Sequence, residues 1–346
     1  MSQITNNSIH LKQLNIEIIK KALKEFQTAT KAQISQATGL SVATCNNIIG
    51  ELVKSGEVLE LDYEESSGGR RAKRFCYNNS FCLTALISAQ TEEGKFYLNN
   101  YIVDAAQTVI YHQKIEYSSI GAKEFVDQLT SMRQRYPNIK ALGISIPGVV
   151  DKGEIVFCVD IPSLNHTPIL KALEAQFELP IVIDNCMNFA AVGFYNRQNY
   201  KSNTSIVYME FTKQLCPGAG IIVDGRLTKG NTNFAGEIAF LPLGISREDI
   251  PTLYDDEASF TSLVAKSIIC AIAIINPKTI ALTGSPFHKG LLPVLYEMCS
   301  LHIPKEHMPD LVLIDDPEEE ILHGLITVTQ QKLNCAIQLV KSESIL

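Results

Sequence analysis

The stretch VIDNCMNFAAVGF, residues 182–194, passes from an apolar run into a segment with helical spacing. Asp184 and Asn185 supply polar side chains where a helix would begin, and apolar residues recur after them. A buried strand that runs directly into a helix is typical of an α/β domain. Cys186 lies in the middle of this junction, which raises the question of whether a thiol has replaced a catalytic acid.

Similar elements extend on both sides of the junction. Before it come three strand-like runs (FCLTALISA, KFYLNNYIVD and TVIYHQKIEY), a helical run, the buried strand IKALGISIPGVV and the helical TPILKALEAQFEL. After it, the strand TSIVYMEF begins a second round with a strand pair, a long helix, the strand TIALTGSP and a last helix. The order predicts two α/β lobes of similar build with a cleft between them. We expect lobes at residues 79–200 and 201–346, with the last helix able to pack back on the first.

The composition is that of a globular protein with a sizeable core. The chain has 346 residues, 46% of them hydrophobic and 19% charged, which predicts two or three domains. No stretch reads as a membrane span and the N-terminus lacks the apolar segment of a signal peptide, so we expect a cytoplasmic protein. The nine cysteines form no CxxC pair and the seven histidines are dispersed. No metal site is therefore predicted.

The N-terminal part differs from the remainder in charge. Residues 1–80 carry a net charge of +2, and the remaining 266 residues carry −9. Only this N-terminal part, which we place at residues 1–78, is suited to a polyanion.

A helix-turn-helix is predicted within it. Thr30 can cap a short helix, Gly39 follows at a turn, and Ser41 can cap the next helix. That second helix places four apolar residues on one face (Cys45, Ile48, Ile49 and Leu52) and leaves Thr44 and Asn47 away from it. In such a motif the second helix enters the major groove of DNA.

A strand, loop and strand follow in EVLELDYEESSGGRRAKRFCYN, residues 57–78, and are interpreted as a wing. Basic side chains beside its glycine turn suit phosphates or a narrow minor groove. The alternatives are a solvated turn and a solvated helix face. The predicted DNA contacts are Ser41, Thr44, Asn47, Arg70, Arg71, Lys73 and Arg74.

Five motifs in order make the chain resemble the ROK family of repressors and sugar kinases. They are the winged segment with SSGGRR, then GISIPGVVDKGEI, VIDNCMNFAAVGF, GAGIIVDGRLTKGNTNFAGEIAFLPLG and NPKTIALTGSP. The resemblance implies an N-terminal winged helix-turn-helix followed by a two-lobed α/β domain of the actin-like ATPase, sugar-kinase-like fold. It also implies that sugar and ATP bind in the cleft of kinase members, and that repressor members use the sugar to control DNA binding.

The phosphate-binding turns of family kinases are altered. The glycine-rich turn expected after the first strand is replaced by a sequence with Glu92, Glu93 and a single glycine, Gly94. A second turn reads TKQLCPGAG, where a proline removes one amide donor. We interpret its surviving glycines, Gly218 and Gly220, as serving the turn itself.

The acid and zinc positions are altered too. Alignment places Cys186 where the family carries its catalytic acid, and a thiol is a poor substitute for a carboxylate base. A rival alignment would make Asp184 the base. Glu237 is retained, but Phe240 replaces the histidine that contacts sugar and zinc, and no cysteine-rich loop follows. Compared with the family pattern, these substitutions imply that the chain has no catalytic residue and binds neither zinc nor ATP.

The sequence thus predicts a transcriptional regulator of carbohydrate genes, most simply a repressor. Its kinase-like domain would bind an effector, a sugar or sugar phosphate, with Gly148, Asn185 and Glu237 as contacts or as structural residues. A homodimer or dimer of dimers on a pseudo-palindromic operator is expected, with no membrane contact. The rivals are an ATP-dependent sugar kinase with an accessory DNA-binding domain, and a regulator without a sugar ligand.

Overall fold

A computed structural model describes residues 2–63, 71–198, 200, 203–212 and 216–334, with side chains from Leu11 to Leu333 within these ranges. Its contacts define two compact units. The first contains the chain up to Leu83, together with Val103–Val109 and the chain from Leu333. The second contains Thr84–Ile102 and Ile110–Lys332.

Three helices and a small antiparallel sheet form the first unit. The helices are α1 (Ser2–Phe26), α2 (Lys31–Thr38) and α3 (Val42–Ser55), and the strands are β1 (Ala29–Thr30), β2 (Val58–Tyr63) and β3 (Lys73–Tyr77). The strand order is β1-β3-β2. The helices bury a common core that includes Leu23, Ile34 and Ile49. The four predicted apolar residues of α3 are all buried.

The turn between α2 and α3 follows the sequence prediction. Thr30 caps α2 through a capping box with Gln33. Gly39 ends α2 with a φ of 71°, a left-handed conformation that glycine adopts without steric cost. Ser41 then caps α3, its hydroxyl accepting a hydrogen bond from the Thr44 N–H at 3.1 Å.

The second unit contains two five-stranded sheets. The first sheet consists of β4 (Leu83–Glu92), β5 (Lys95–Val103), β6 (Val109–Tyr117), β7 (Ile139–Ile146) and β10 (Ile181–Asn185). Between β7 and β10 lies the hairpin of β8 (Val149–Asp151) and β9 (Glu154–Phe157). Its helices are α4 (Ala122–Arg135), α5 (Ile169–Glu174) and α6 (Cys186–Arg197).

The second sheet repeats this topology. It consists of β11 (Ile206–Glu210), β12 (Gly218–Val223), β13 (Arg226–Leu227), β14 (Thr279–Thr283) and β15 (Asp310–Leu313), with α7 (Glu257–Ile275), α8 (Leu291–Ser300) and α9 (Pro317–Asn334). The strand orders are β6-β5-β4-β7-β10 and β13-β12-β11-β14-β15. In each sheet the central strand is the first in the chain, which confirms two α/β lobes of similar build.

Helix α7 corrects one expectation. It is the one described helix that is long and apolar enough to cross a bilayer, although no such stretch was expected from the sequence. Half of its most apolar window is buried within the protein, however. Phe260, Val264 and Ile268 lie in the core of the second lobe, as suits the central helix of a globular fold.

Two glycines bring α6 and α9 together. A Cβ atom at Gly193 would lie 2.0 Å from the Glu320 carbonyl oxygen, and one at Gly324 would lie 1.9 Å from the Phe189 carbonyl oxygen. Only hydrogen fits at either position. Helix α9 also lies on the first sheet, because a Cβ at Gly143 would meet Thr329 and Leu325.

Gly193→Ala is therefore expected to destabilise the second unit by roughly 1–3 kcal/mol, because the added methyl forces α6 and α9 apart. The measurement is urea unfolding followed by circular dichroism. Asn196→Ala is the matched control, since Asn196 is exposed on the same helix and should change the free energy of unfolding by less than about 0.5 kcal/mol. Equal stability of both variants would contradict the close contact.

Candidate functional site

A pocket opens between the two lobes of the second unit. Its volume is about 470 Å³, including the open mouth. Its lining includes both apolar side chains and carboxyl groups. The lining residues are Pro147, Gly148, Phe157, Val159, Asp160, Asn185, Cys186, Met187, Glu210, Cys216, Gly218 and Glu237. All three predicted effector contacts, Gly148, Asn185 and Glu237, are thus brought together.

Asn185 holds the beginning of α6. Its Oδ1 accepts a hydrogen bond from the Met187 N–H at 2.7 Å, and its Nδ2 donates to the Gly148 carbonyl at 2.9 Å. The side chain thereby caps the helix and ties it to the turn after β7. One amide hydrogen and one oxygen lone pair remain for a ligand.

The carboxylate of Asp184 is surrounded by partners from the protein itself. Its buried carboxylate accepts hydrogen bonds from the Asn185 N–H and the Asn188 side chain, both at 2.8 Å. It also pairs with Lys229 of the second lobe, Nζ to Oδ2, at 2.5 Å. These partners occupy and orient the carboxylate, which leaves it poorly placed as the base of the rival alignment.

Cys186 is the first residue of α6 and lies on the pocket wall. Burial raises the pKa of its thiol well above the ordinary value, and the negative charges of Glu210 and Asp160 raise it further. The thiol therefore stays protonated at neutral pH. A protonated thiol is a poor acceptor for a proton from a hydroxyl group.

Three carboxyl groups line the pocket. Burial raises the pKa of Asp160 to about 7, with a contribution from Glu237, while the Cys216 N–H donates to its carboxyl and opposes the rise. Burial also raises the pKa of Glu210 to about 7, with contributions from Asp160 and Glu318. The pKa of Glu237 is raised by burial as well. The pocket is thus an acidic site with partly protonated carboxyls at neutral pH.

The glycines after β11 have a different role from the one expected. Gly218 and Gly220 are the first and third residues of β12, so they do not form a turn. A Cβ at Gly220 would lie 2.1 Å from the Met187 carbonyl oxygen, so this glycine lets α6 approach the strand. Leu215 lies outside the described residues.

The first phosphate turn is a tight hairpin. Glu93 and Gly94 both have positive φ, 49° and 76°, and join β4 to β5. The turn thus consists of two residues, the first of which is a glutamate. Glu92 pairs with Lys114, which fixes its carboxylate beside the turn.

Phe240 belongs to an aromatic cluster. Its ring contacts Phe157 and Phe234 at centroid distances of 5.8 and 5.0 Å, and the Arg247 guanidinium lies 4.8 Å from its centre. No group of three or more His, Cys, Asp and Glu side chains within the described ranges is arranged to hold a metal ion.

The predicted contacts on α3 lie on its outer side. Asn47 is exposed and opposite the buried face. Thr44 is partly exposed, and its hydroxyl lies 2.9 Å from the Ser41 hydroxyl. Ser41 is exposed too, but its oxygen already caps the helix. Of the three side chains, that of Asn47 is therefore the most accessible to DNA.

The basic residues near β3 differ in how they are used. Lys73 pairs with Glu60 on the neighbouring strand, and the Arg74 Nε donates to the Asp62 carbonyl at 3.4 Å. Arg71 is exposed. Arg70 and the glycine turn beside it lie outside the described residues.

Sequence reasoning missed Asp160 and Glu210. A signal was present for Glu210, because a carboxylate directly follows the buried Ile206–Met209 of TSIVYMEF. A charged residue at the end of a buried strand is a candidate for a site at the edge of an α/β sheet. Asp160 lies in irregular structure after β9, where no periodicity points to it.

Comparisons with known proteins agree with this fold. Residues 91–250 match the model of the ROK family. A ROK family transcriptional regulator, a homolog of the E. coli MLC protein, superposes with a TM-score of 0.62 at 17% identity, covering 94% of this chain and 98% of that one. The ROK hexokinase from Thermus thermophilus gives 0.57 at 16% identity, covering 73% and 99%.

Relatives in sequence are repressors by name. The xylose repressor of Bacillus subtilis (strain 168) is 24% identical over 241 residues, and that of Caldicellulosiruptor bescii is 27% identical over 239. The matches cover 67% of this chain and 61% and 59% of those proteins. The N-acetylglucosamine repressor of Escherichia coli O157:H7 is 24% identical over 272 residues, 70% of this chain and 61% of that protein. The chain thus spans about three fifths of the length of these relatives.

The repeated sheets with a pocket between them define the second unit as a two-lobed, actin-like domain of the sugar-kinase type. The match to the ROK family, at residues 91–250, falls within these two lobes.

The wild-type protein is expected to lose stability as the pH rises, and the variant Glu210→Gln should lose less. Because the pKa of Glu210 and that of Asp160 are raised, the folded protein holds these protons more tightly than the unfolded chain. That stabilisation is complete below the ordinary carboxyl pKa and is lost as the pH rises through 7. Each group should lower the free energy of unfolding by about 1 kcal/mol between pH 6 and 8.

Urea unfolding at these two pH values measures the effect. Wild type should lose more stability than Glu210→Gln. Glu297→Gln, at an exposed position on α8, should behave as wild type. An unchanged pH dependence in Glu210→Gln would show that Glu210 is ionised throughout.

Proposed function

We propose that this chain is a sugar-responsive transcriptional repressor of the ROK family. The observation that carries the proposal is the capped α2–turn–α3 segment, which presents the polar outer face of α3 beside a strand pair. Three helices followed by two antiparallel strands have the build of a winged helix-turn-helix. The names of the xylose and N-acetylglucosamine repressors support the same function.

Residues 1–78 form the proposed DNA-binding domain. Helix α3 enters the major groove, with Asn47 as the most accessible base contact and Ser41 and Thr44 near the phosphates. The wing supplies charge from Arg70, Arg71, Lys73 and Arg74. Arg71 is free to reach DNA directly, whereas Lys73 must first exchange Glu60 for phosphate.

Residues 79–200 and 201–346 form the proposed effector-binding domain. The effector occupies the pocket between the lobes, against Gly148, Asn185 and Glu237. Apolar walls from Phe157 and Val159 suit the carbon face of a sugar, and the carboxyl groups suit its hydroxyls.

The same pocket is proposed to lack catalysis. A general base must accept a proton from the sugar hydroxyl, and the protonated Cys186 thiol occupies its position. The tight Glu93–Gly94 hairpin leaves no phosphate cradle. Zinc does not fit either, because Phe240 in its aromatic cluster replaces a ligand histidine. No step of the proposed mechanism uses zinc or ATP.

Assembly and control follow from operator symmetry. We propose a cytoplasmic homodimer, or a dimer of dimers, in which two α3 helices read the halves of a pseudo-palindromic site. Effector binding favours an arrangement of the lobes that no longer matches the operator spacing, so the populations shift away from the DNA-bound state.

Selection of bound fragments from the source genome tests this function. Fragments recovered with the purified full chain should share a pseudo-palindromic site near genes for sugar uptake or breakdown. Recovery of no sequence above random fragments would refute the proposal.

The double variant Arg70→Ala, Arg71→Ala is expected to weaken DNA binding and to flatten its salt dependence, because two phosphate contacts are lost. The slope of log affinity against log salt should fall by about 2. Fluorescence anisotropy at several salt concentrations gives the slope. Lys305→Ala, at an exposed position of the second unit, is the control. A slope equal to that of wild type would exclude the wing contact.

The rival function, an ATP-dependent sugar kinase, is favoured by the fold shared with the Thermus hexokinase. We expect no ATP consumption above background with any common hexose, because the base and phosphate cradle are missing. A coupled assay of ADP release measures it. Sugar-dependent turnover that Glu237→Ala abolishes would establish the kinase instead.

A further inference from the structure

Glu210 lies at the end of β11 and faces two cavities at once. One is the pocket between the lobes, and the other, of about 550 Å³, is lined by residues that include Thr212, Gly284, Ser285 and Asp315. The backbone of Glu210 is fixed in the sheet between Gly218 and Thr283. The position of its side chain between the cavities is therefore set by the strand.

The described lining of both cavities contains carboxyl groups and no Lys, Arg or His. Asp160 and Glu237 share the first cavity with Glu210, and Asp315 lies in the second. Glu318 adds negative charge near Glu210. Lys229, close by in sequence to Glu237, is already paired with Asp184.

The Glu210 side chain has no hydrogen-bond partner in the part of the chain that the structure describes. A partly buried carboxyl without a partner is unfavourable, and a donor from a ligand would relieve this cost. The group is thus both exposed to the pocket and available to a ligand.

The beginning of α6 offers an anion fewer backbone donors than an uncapped helix would. A helix N-terminus can bind phosphate through its free N–H groups. Here Asn185 Oδ1 takes the Met187 N–H, and Asp184 takes the Asn185 N–H. Side chains of the chain itself therefore already take two of the backbone donors at this helix start.

We propose that Glu210 selects the charge of the ligand, so that the pocket accepts unphosphorylated sugars, prefers those with an amino group, and rejects phosphate esters. The inference rests on the proposed effector pocket and narrows its ligand class. An ammonium group would form a charge-assisted hydrogen bond with the carboxylate, and hydroxyl groups would form neutral ones. A phosphate would add two negative charges beside carboxyl groups that already repel one another.

The experiment compares glucosamine, glucose and xylose with glucosamine 6-phosphate and glucose 6-phosphate. Isothermal titration at pH 7 measures their binding to the full chain, with thermal shift as a second readout. Wild type should bind glucosamine about tenfold more tightly than glucose, and each free sugar at least about tenfold more tightly than its phosphate ester. In Glu210→Gln the affinity ratio of glucosamine to glucose and that of each free sugar to its phosphate ester should both fall towards one. The variant Glu297→Gln should keep the wild-type ratios.

Three results would overturn the proposal. They are a phosphate ester that binds wild type as tightly as its free sugar, an order of affinities that Glu210→Gln leaves unchanged, and the absence of binding by every sugar in the set. A circular dichroism melt establishes that Glu210→Gln is folded. The genomic selection above is independent of these titrations. Specific DNA binding without the predicted sugar order refutes the ligand class alone, and the sugar order without DNA binding refutes the repressor alone.

Discussion

Helix α6 is held by contacts that only glycine permits. Gly220 lets it approach β12, and Gly193 and Gly324 let it meet α9 backbone to backbone. Interiors packed this closely transmit displacement instead of absorbing it. Since α6 also begins with Asn185 and Cys186, these contacts fix the pocket wall to the second sheet and to α9. A shift at the pocket would therefore move a rigid element.

The chemistry of the pocket follows from that placement. The Asn185 side chain caps α6 and donates a hydrogen bond to the Gly148 carbonyl, so it positions the pocket wall. Its amide retains limited hydrogen-bonding capacity for a ligand. Burial keeps the Cys186 thiol protonated and raises the pKa of Asp160 and Glu210 to about 7. The arrangement suits recognition of hydroxyl and amino groups, whereas phosphoryl transfer requires a base and a cradle for negative charge.

The proposed DNA-binding unit depends on local interactions to a greater degree than the pocket of the second unit does. Thr30, Gly39 and Ser41 define the turn through caps that operate within a few residues. Such signals are readable from sequence because both partners are close along the chain. The predictions for α2, the turn and α3 were confirmed for this reason. The ion pair between Lys73 and Glu60 could not be predicted from the sequence, because the two residues are brought together by the pairing of β2 with β3.

The sequence by itself determined most of the elements, their order and the repeated α/β build, since helical and strand periodicity and end caps are local. The β8–β9 hairpin, α8 and β15 were not predicted. It also predicted, through motifs that resemble those of the ROK family, that Gly148, Asn185 and Glu237 share a site, and these three residues line one pocket. Only the tertiary structure decided that Gly218 and Gly220 serve helix packing, that α7 is a core helix, and that Glu210 and Asp160 complete the pocket. Those outcomes depend on which distant residues meet and on how far burial removes water from a charge, and neither quantity is encoded in local spacing.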